Sequence, residues 1–292
     1  MLPFVAPLVA GLSLPIGKPL GAPPQLATLG VDESILLNRG SRSVWCTRLS
    51  ARPAAFLIRN FLSHDECASI VAAADASGAL HPAETSGRSD ARKRCDICCL
   101  GLAHPAVSCM TQEAASLLLA PEVIAQQGTG CEDLHVLKYH PGGEFRLHYD
   151  TTSEALPRVC TVLFYLNGEG ATWFPFADDA SVEPEWFAQR NLVLDRAAAL
   201  DPYADGGGNG LRVDPTGAGD ALVFYNFDGG DGEVSVDAPA APGLDPYSLH
   251  AGLPVGDGTT KWLASHFFQA PALFAPPLDA RRARREMTQT AP

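Results

Sequence analysis

Positive charge is scarce in this chain. Its 292 residues include 21 lysines and arginines against 33 aspartates and glutamates, which gives a formal net charge of −12. Four of the basic residues lie in residues 1–50 and four in residues 278–292, so the body between these ends is the most acidic part. An acidic surface repels phosphate backbones. We therefore expect no nucleic-acid partner, and a neutral or basic protein substrate fits this charge better.

A long apolar run that could cross a membrane is also missing. The most apolar segment is the N-terminal MLPFVAPLVAGLSLPIGKPLGAPP, which Pro3, Pro7 and Pro15 interrupt. A membrane helix needs about 20 consecutive apolar residues, and a secretory signal normally starts with basic residues. The segment shows neither feature, so we do not expect membrane anchoring. We predict a poorly ordered arm over residues 1–52, and a targeting segment is the alternative that stays open.

Cysteines with the spacing of a metal site are few. Of the eight cysteines, Cys95, Cys98 and Cys99 lie together in CDICC, which has the spacing of half a zinc site. No second Cys-x-x-Cys and no His-x-x-x-His follows, whereas a structural zinc site needs four ligands. Structural zinc is therefore disfavoured. Disulfides in an oxidising compartment and simply buried thiols both stay open.

Helices are predicted ahead of a β-rich region. Ser63 and Glu66 have the spacing of a capping box, and apolar residues follow them at helical spacing. A second helix is predicted over residues 105–119, since it starts with a proline and proline favours the first position of a helix. The strand candidate AAFLIRNFLS precedes both helices, and residues 80–103 between them look polar and irregular. The folded body is therefore expected to begin near Pro53.

Eight short β-rich runs, separated by glycine, proline and aspartate, fill the chain after Gly130. They are LHVLKYH, EFRLHYD, RVCTVLFYLN, ATWFPF, LRVDP, DALVFYNF, SLHAGLPV and KWLASHFFQ. Eight is the number of strands in a double-sheet jelly roll, and helices placed first would pack against one of its sheets. We predict a mainly β domain with flanking helices over residues 53–270, a double-stranded β-helix. An insertion at 177–210 and a C-terminal tail at 271–292 complete the predicted organisation.

One pair of residues points to metal chemistry. In FRLHYDTT, residues 145–152, His148 and Asp150 lie two apart in a predicted strand and therefore share one face. A histidine and a carboxylate are two of the three ligands of a 2-His-1-carboxylate iron site. The third ligand would be a histidine from a distant strand, and His250 in SLHAG is the candidate. Alone, the pair is a weak signal, because an ordinary polar strand end has the same pattern.

Lys261 strengthens the interpretation as a metal site. It opens KWLASHFF, an otherwise apolar strand, eleven residues after His250. A lysine that is buried in such a strand needs an anionic partner, whereas a lysine at an exposed strand end needs none. Beside the three candidate ligands, a role in binding an anion is the better explanation of Lys261.

Several segments together resemble one enzyme family. HVLKYHPGGEFRLHYD, RVCTVLFYLN, GAGDALVFYNF and DPYSLHAGLPVGDGTTKW look like the catalytic domain of prolyl 4-hydroxylases, within the iron(II)- and 2-oxoglutarate-dependent dioxygenases. AAFLIRNFLSHDECASIVAAA resembles the first strand and helix of that domain, so the resemblance covers residues 53–270. It implies an oxidoreductase that hydroxylates an unactivated C–H. Such an enzyme consumes O2 and 2-oxoglutarate and releases succinate and CO2.

The resemblance also implies roles for individual residues. The three candidate ligands would bind Fe(2+), and Lys261 would pair with the distal carboxylate of 2-oxoglutarate. Tyr139 and Thr161 match positions that hydrogen-bond the same carboxylate in this family, although both would also fit ordinary strand packing. L-Ascorbate is a further cofactor that the resemblance implies.

The substrate implied by the resemblance is peptidyl proline in an extended, polyproline-like segment. The sequence departs from the family pattern in GATWFP (170–175), in ARKRCDICC (91–99) and in the insertion at 177–210. A different side chain, a free amino acid or a small metabolite therefore stays open as the substrate. A jelly roll that binds metal or protein without catalysis is the alternative of another class. The endoplasmic reticulum or secretory pathway fits the family, and the compartment stays open.

Overall fold

The computed structural model describes residues 19–85, 88–89, 94–124, 132–151, 157–182, 190–203, 210–228 and 243–270. The α-helices within these residues are α1 (Pro24–Ala27), α2 (His64–Ala76), α3 (Pro105–Leu118), α4 (Pro121–Ile124) and α5 (Arg190–Ala198). The strands are β1 (Ser34–Arg39), β2 (Arg42–Ser50), β3 (Ala55–Ile58), β4 (His81–Pro82), β5 (Glu84–Thr85), β6 (Arg88–Ser89), β7 (Cys95–Leu100), β8 (Leu134–Tyr139), β9 (Phe145–His148), β10 (Arg158–Tyr165), β11 (Thr172–Phe174), β12 (Leu211–Val213), β13 (Ala221–Tyr225), β14 (His250–Gly252) and β15 (Lys261–Gln269).

Strands β8 to β15 form the predicted jelly roll. Four of them lie side by side in the order β13-β10-β15-β8 within a large sheet, and the other four form a second sheet in the order β12-β11-β14-β9. Every pairing among them is antiparallel. The chain therefore crosses repeatedly between two facing sheets, which is the winding of a double-stranded β-helix. All eight predicted runs coincide with these strands, and the predicted fold class is confirmed.

The large sheet extends beyond the jelly roll at both edges. Its nine strands have the order β1-β2-β3-β13-β10-β15-β8-β7-β4. Strands β1 and β2 pair with each other, and β2 pairs with β3. Residues 34–50 therefore belong to the folded body, and the predicted start near Pro53 is wrong for them. Strand β7 likewise lies in a segment that was predicted to be irregular. Residues 1–18 and 271–292, also covered by predictions, lie outside the described residues.

The central strands β10 and β15 are buried on both faces. Val162 and Ala264 point into the core on the helical side of the large sheet, and Leu163 and Leu263 point into the core between the two sheets. Side chains alternate along a strand, so one strand serves both cores. Helices α2 and α3 contact each other and pack against β7 and β1. The site described below lies on the opposite, inter-sheet side.

Helix α2 begins at the predicted capping box. The Ser63 side chain accepts from the backbone N–H of Glu66 at 3.2 Å, and the Glu66 carboxylate accepts from the Ser63 N–H at 2.7 Å. The same carboxylate accepts hydrogen bonds from Arg39 at 3.0 Å and from Arg42 at 3.0 Å. Burial opposes the charge, but the hydrogen bonds from Arg39 and Ser63 and the charge of Arg39 lower the pKa of Glu66 to about 2. Glu66 thus ties the start of α2 to β1 and β2.

The cysteines and the insertion have simple places in the fold. None of the cysteines that the structure describes forms a disulfide, and Cys131 lies outside the described residues. CDICC forms most of β7. Of the predicted helical piece in the insertion, residues 190–194 fall in α5 and residues 184–189 lie outside the described part. None of the described helices has the length and apolar character to cross a bilayer.

Candidate metal centre and anion pocket

His148 and His250 face each other across two neighbouring strands. His148 ends β9, His250 begins β14, and the two residues are direct partners in the antiparallel pairing. Directly opposed residues place their side chains on the same face of a sheet. Their ring centroids are accordingly 4.3 Å apart. Asp150 follows β9 by two residues and joins them on the buried side.

These three side chains form a compact cluster of possible metal ligands. Nε2 of His148 lies 3.4 Å from Oδ1 of Asp150, and Nε2 of His250 lies 3.7 Å from Oδ2. One ligand atom from each residue lies within 4.8 Å of the others, and this is the one such group among the described residues. Two imidazoles and one carboxylate are the donor set of a facial iron site.

Backbone carbonyls fix the orientation of both imidazoles. Nδ1 of His148 lies 2.8 Å from the carbonyl oxygen of Arg146, and Nδ1 of His250 lies 2.9 Å from that of Ser248. A carbonyl only accepts, so each Nδ1 carries the proton and each Nε2 keeps a free lone pair. This is the usual support of metal-binding histidines. Both lone pairs are therefore available for a metal beside Asp150.

Aromatic rings enclose the cluster. Phe145 stacks on His148 with centroids 3.9 Å apart, and Phe174 and Phe224 lie 5.5 and 4.8 Å from the ring of His250. Burial lowers the pKa of His250 to about 4, which keeps this imidazole neutral near pH 7. Burial alone would raise the pKa of Asp150, but the two histidines hold it well below its usual range. Neutral imidazoles and an ionised carboxylate are the forms that bind a metal.

The hydroxyl of Thr161 lies against the carboxylate of Asp150. It donates to Oδ2 of Asp150 at 2.9 Å and accepts from Nδ2 of Asn226 at 3.0 Å. A threonine has one proton to donate. Thr161 therefore has none left for a second carboxylate while this bond exists, and its geometry differs from the role that the sequence resemblance implied. Arg158 adds a hydrogen bond of 2.8 Å to the backbone carbonyl of Asp150.

Lys261, the predicted anion-binding residue, is buried at the start of a strand. It begins β15 directly opposite Tyr139 of β8, and its side chain is fully buried. Nζ has no hydrogen-bond partner among the described residues, and it lies 5.2 and 5.5 Å from the ring centroids of Tyr139 and Tyr165. Burial lowers the pKa of Lys261 to about 8, so the amine still carries its charge at neutral pH. A buried ammonium without a partner is costly, and a bound anion would relieve it.

The lysine pocket and the metal cluster share the space between the two sheets. Tyr139, Tyr165, Phe174 and Phe224 belong to one packed cluster, and the two phenylalanines contact His250 while the two tyrosines flank Lys261. A Cβ placed on Gly252, two residues after His250, would lie 3.8 Å from the Tyr139 hydroxyl. The hydroxyl of Tyr139 therefore lies close to the strand that carries His250.

Two pocket residues were missed by the sequence reasoning. Tyr165 flanks Lys261, and its hydroxyl lies 2.8 Å from Oγ1 of Thr172 on the facing sheet. The sequence carried a signal for Tyr165, since it lies four residues after Thr161 and therefore on the same face of β10. Thr172 had no comparable signal, because its pairing with Tyr165 joins strands of different sheets.

The metal-site and pocket candidates are thus brought together as two adjacent groups. His148, Asp150 and His250 form the cluster of possible ligands, and Lys261 with Tyr139 forms the candidate anion pocket. The three cysteines of CDICC are not part of any group of metal-binding side chains among the described residues.

Comparison with known proteins agrees with this geometry. Residues 134–269 match the family model of the 2OG-Fe(II) oxygenase superfamily. The chain is 30% identical to the human transmembrane prolyl 4-hydroxylase over 212 residues, covering 64% of this chain but only 37% of that protein. It is 29% identical to prolyl 4-hydroxylase 5 of Arabidopsis thaliana over 249 residues, which covers 79% of this chain and 75% of the plant protein.

Among solved structures, the chain is similar to a prolyl-4-hydroxylase from Pseudomonas putida, with 20% identity and a TM-score of 0.45. That match covers 75% of this chain and 93% of the bacterial one. The matched superfamily region runs from the first to the last strand of the jelly roll and contains all five candidate residues above as well as the whole of Lys261's strand. Residues 134–269, and with them the jelly roll, are thus similar to the 2OG-Fe(II) oxygenase superfamily.

Proposed function

We propose that this protein hydroxylates peptidyl proline to 4-hydroxyproline, using Fe(2+), O2 and 2-oxoglutarate. The observation that carries the proposal is the buried ammonium of Lys261, which has no hydrogen-bond partner in the described part of the chain and lies in the same inter-sheet space as the three possible metal ligands. A metal site alone would fit many functions. A metal site beside a buried cation fits a dianionic co-substrate that binds the metal at one end and the cation at the other.

The residues present fit ferrous iron. His148 and His250 would bind it through Nε2, whose lone pairs are left free by the Nδ1 hydrogen bonds, and Asp150 would bind it through a carboxylate oxygen. Three protein ligands leave open positions for co-substrate and O2. When bound, the iron would supply O2 activation, with 2-oxoglutarate oxidised to succinate and CO2 as one oxygen atom enters the substrate C–H bond.

The chain's own residues would place and enclose the co-substrate. The ammonium of Lys261 would pair with its distal carboxylate, and the hydroxyl of Tyr139, beside it, would donate a hydrogen bond to the same group. The rings of Phe174 and Phe224 exclude water from the neighbourhood of His250. A low-dielectric pocket strengthens the attraction between ammonium and carboxylate.

Proline is the proposed substrate because the named relatives from animals and plants are prolyl 4-hydroxylases. The acidic body of the chain favours neutral or basic peptides over anionic ones. An extended, polyproline-like segment has little conformational entropy to lose on binding. A requirement for L-ascorbate and a place in the secretory pathway belong to the same proposal, and each needs its own test.

The test is turnover with a panel of substrates. The iron-loaded protein is incubated with 2-oxoglutarate and either proline-rich peptides, matched peptides with alanine in place of proline, or free amino acids. We expect succinate and a peptide that gains one oxygen atom only with proline peptides, and neither product with Asp150→Ala. Turnover of another substrate with no reaction on proline would keep the chemistry and overturn the proline assignment. Succinate from none of them would favour a binding module without catalysis.

A further inference from the structure

Cys95 lies beside the candidate anion pocket, at the start of the CDICC segment that forms most of β7. Cys95 of β7 is the direct partner of Tyr139 in β8, and Tyr139 is the direct partner of Lys261 in β15. Directly opposed residues of an antiparallel sheet share a face. The three side chains therefore form a row across three strands, and all of them point between the two sheets.

The burial of Cys95 agrees with this placement. Cys95 is 5% exposed and belongs to the same inter-sheet core as Tyr139 and Tyr165. Cys98, on the same strand, is 2% exposed and belongs to the core on the helical side of the sheet. Two buried thiols of one strand thus face opposite sides, and only Cys95 borders the pocket.

The thiol of Cys95 contacts one polar group of the pocket and lies near the other. It is a hydrogen-bond partner of the Tyr139 hydroxyl, and its charge state influences Lys261. Burial raises the pKa of Tyr139 well above its usual value, so the phenol keeps its proton. The buried Nζ of Lys261 has no hydrogen-bond partner among the described residues, which marks the end of the row as a place for an anion.

The number of protons that the Tyr139 hydroxyl can donate limits which group in this row it hydrogen-bonds. The Tyr139 hydroxyl has one proton, and it can give this proton either to the sulfur or to a bound carboxylate. A carboxylate accepts more strongly than a neutral sulfur. If the thiol S–H donates to the Tyr139 oxygen, the phenol proton is free to point toward the anion beside Lys261.

We propose that Cys95 is a positioning residue, which orients the Tyr139 hydroxyl toward the distal carboxylate of 2-oxoglutarate; this rests on the function proposed above. Cys95 itself does not touch the co-substrate. It acts through Tyr139. Its effect therefore concerns co-substrates that carry an anionic group at the end nearest Lys261.

The test is equilibrium binding of 2-oxoglutarate to protein loaded with Mn(2+), which forms the complex without turnover. Cys95→Ala should weaken binding about three- to tenfold, the effect of one modest hydrogen bond. Cys95→Ser keeps a donor and should stay within about twofold of wild type. Cys98→Ala is the matched control and should leave the affinity unchanged. Binding of 2-oxopentanoate, which lacks the distal carboxylate, should be the same in Cys95→Ala and wild type.

A second arm shows whether Cys95 acts through Tyr139. In a Tyr139→Phe background, Cys95→Ala should weaken binding no further, because the hydroxyl that it orients is gone. An equal effect in both backgrounds, an unchanged affinity in Cys95→Ala, or equal losses for 2-oxoglutarate and 2-oxopentanoate would overturn the role of Cys95. Absence of 2-oxoglutarate binding by folded wild type would instead contradict the proposed function itself.

Discussion

The hydroxyl of Thr161 donates a hydrogen bond of 2.9 Å to the Oδ2 of Asp150, the central carboxylate of the candidate metal site. Asn226 in turn donates to the Thr161 oxygen at 3.0 Å, which fixes the direction in which the threonine proton points. The carboxylate is thus oriented before a metal arrives. Outer hydrogen bonds of this kind typically contribute tenfold or more to metal affinity.

Replacing Thr161 by valine should therefore weaken the metal site and spare the anion pocket. Thr161→Val keeps the shape of the side chain but frees Oδ2 of Asp150. We expect the affinity for Mn(2+) to fall about tenfold, with 2-oxoglutarate affinity at saturating metal within about twofold of wild type. Thr161→Ser, which keeps the hydroxyl, should behave like wild type. A selective loss of 2-oxoglutarate binding with unchanged metal affinity would restore the role that the sequence resemblance implied.

The buried ammonium of Lys261 should make stability depend on pH. Its pKa is about 8 in the folded protein and 10.5 as the ordinary value, so between these values the unfolded chain binds more protons than the folded one. Stability contributed through Lys261 therefore rises as pH increases from 8 to 10, by on the order of 2 kcal/mol. Denaturant unfolding of wild type and Lys261→Met at both pH values measures it. An equal pH response in both proteins would contradict the burial of an unpaired ammonium.

Gly170 leaves room for the Lys261 side chain. Its φ is +74°, and a Cβ there would lie 2.6 Å from Cδ and 3.2 Å from Nζ of Lys261. The lysine chain is flexible, so it would move aside and displace its ammonium from the pocket. We expect Gly170→Ala to weaken 2-oxoglutarate binding about tenfold and to destabilise the fold by about 1 kcal/mol, since the residue has positive φ. Gly217→Ala, where a Cβ meets nothing within 4 Å, is the control for a glycine substitution. Unchanged affinity in Gly170→Ala would mean that the ammonium is not held where the pocket needs it.

Glu66 should stabilise the junction between the first strands and α2. It caps the helix and pairs with Arg39 and Arg42, so Glu66→Ala should destabilise the protein by about 1–2 kcal/mol after allowance for solvent screening. Its pKa falls from 4.5 to about 2 on folding, and the stabilisation is therefore present above pH 4.5 and lost as pH falls toward 2. Glu113→Ala removes another partner of Arg39, at 2.7 Å, without removing a cap, and should cause a smaller loss. Equal losses for the two variants would show that capping contributes nothing.

The jelly roll could be predicted because the sequence pattern of each of its strands lies within a few consecutive residues. Alternation, β-rich composition and intervening turn residues located β8 to β15, and a proline and a capping box located α3 and α2. Strands β1, β2 and β7 were not predicted, because the burial of their side chains depends on contacts with other elements of the fold and not on their own sequence. Arg39 is only 3% exposed, although its charge alone would predict an exposed side chain. It is buried because Glu66 and Glu113 surround it.

The sequence indicated which residues the structure brings together in the candidate site, but not the hydrogen bonds that they make. The spacing of His148 and Asp150 and the lysine in an apolar strand indicated the chemistry. The distance between the sheets decides which carboxylate each hydroxyl hydrogen-bonds. No local sequence pattern encodes this distance. Thr161 was therefore assigned to the co-substrate but bonds to Asp150, and Cys95 received no role although it is the strand partner of Tyr139.

The central claim is that the three possible ligands and Lys261 form one site for iron and 2-oxoglutarate. The most direct test adds ferrous iron and then 2-oxoglutarate to the purified protein without oxygen and records the visible charge-transfer absorption of the chelate. We expect the absorption in wild type, none in Asp150→Ala, and in Lys261→Ala only at much higher 2-oxoglutarate concentrations. Full absorption in either variant at the wild-type concentration, or none in folded, metal-loaded wild type, would contradict the account.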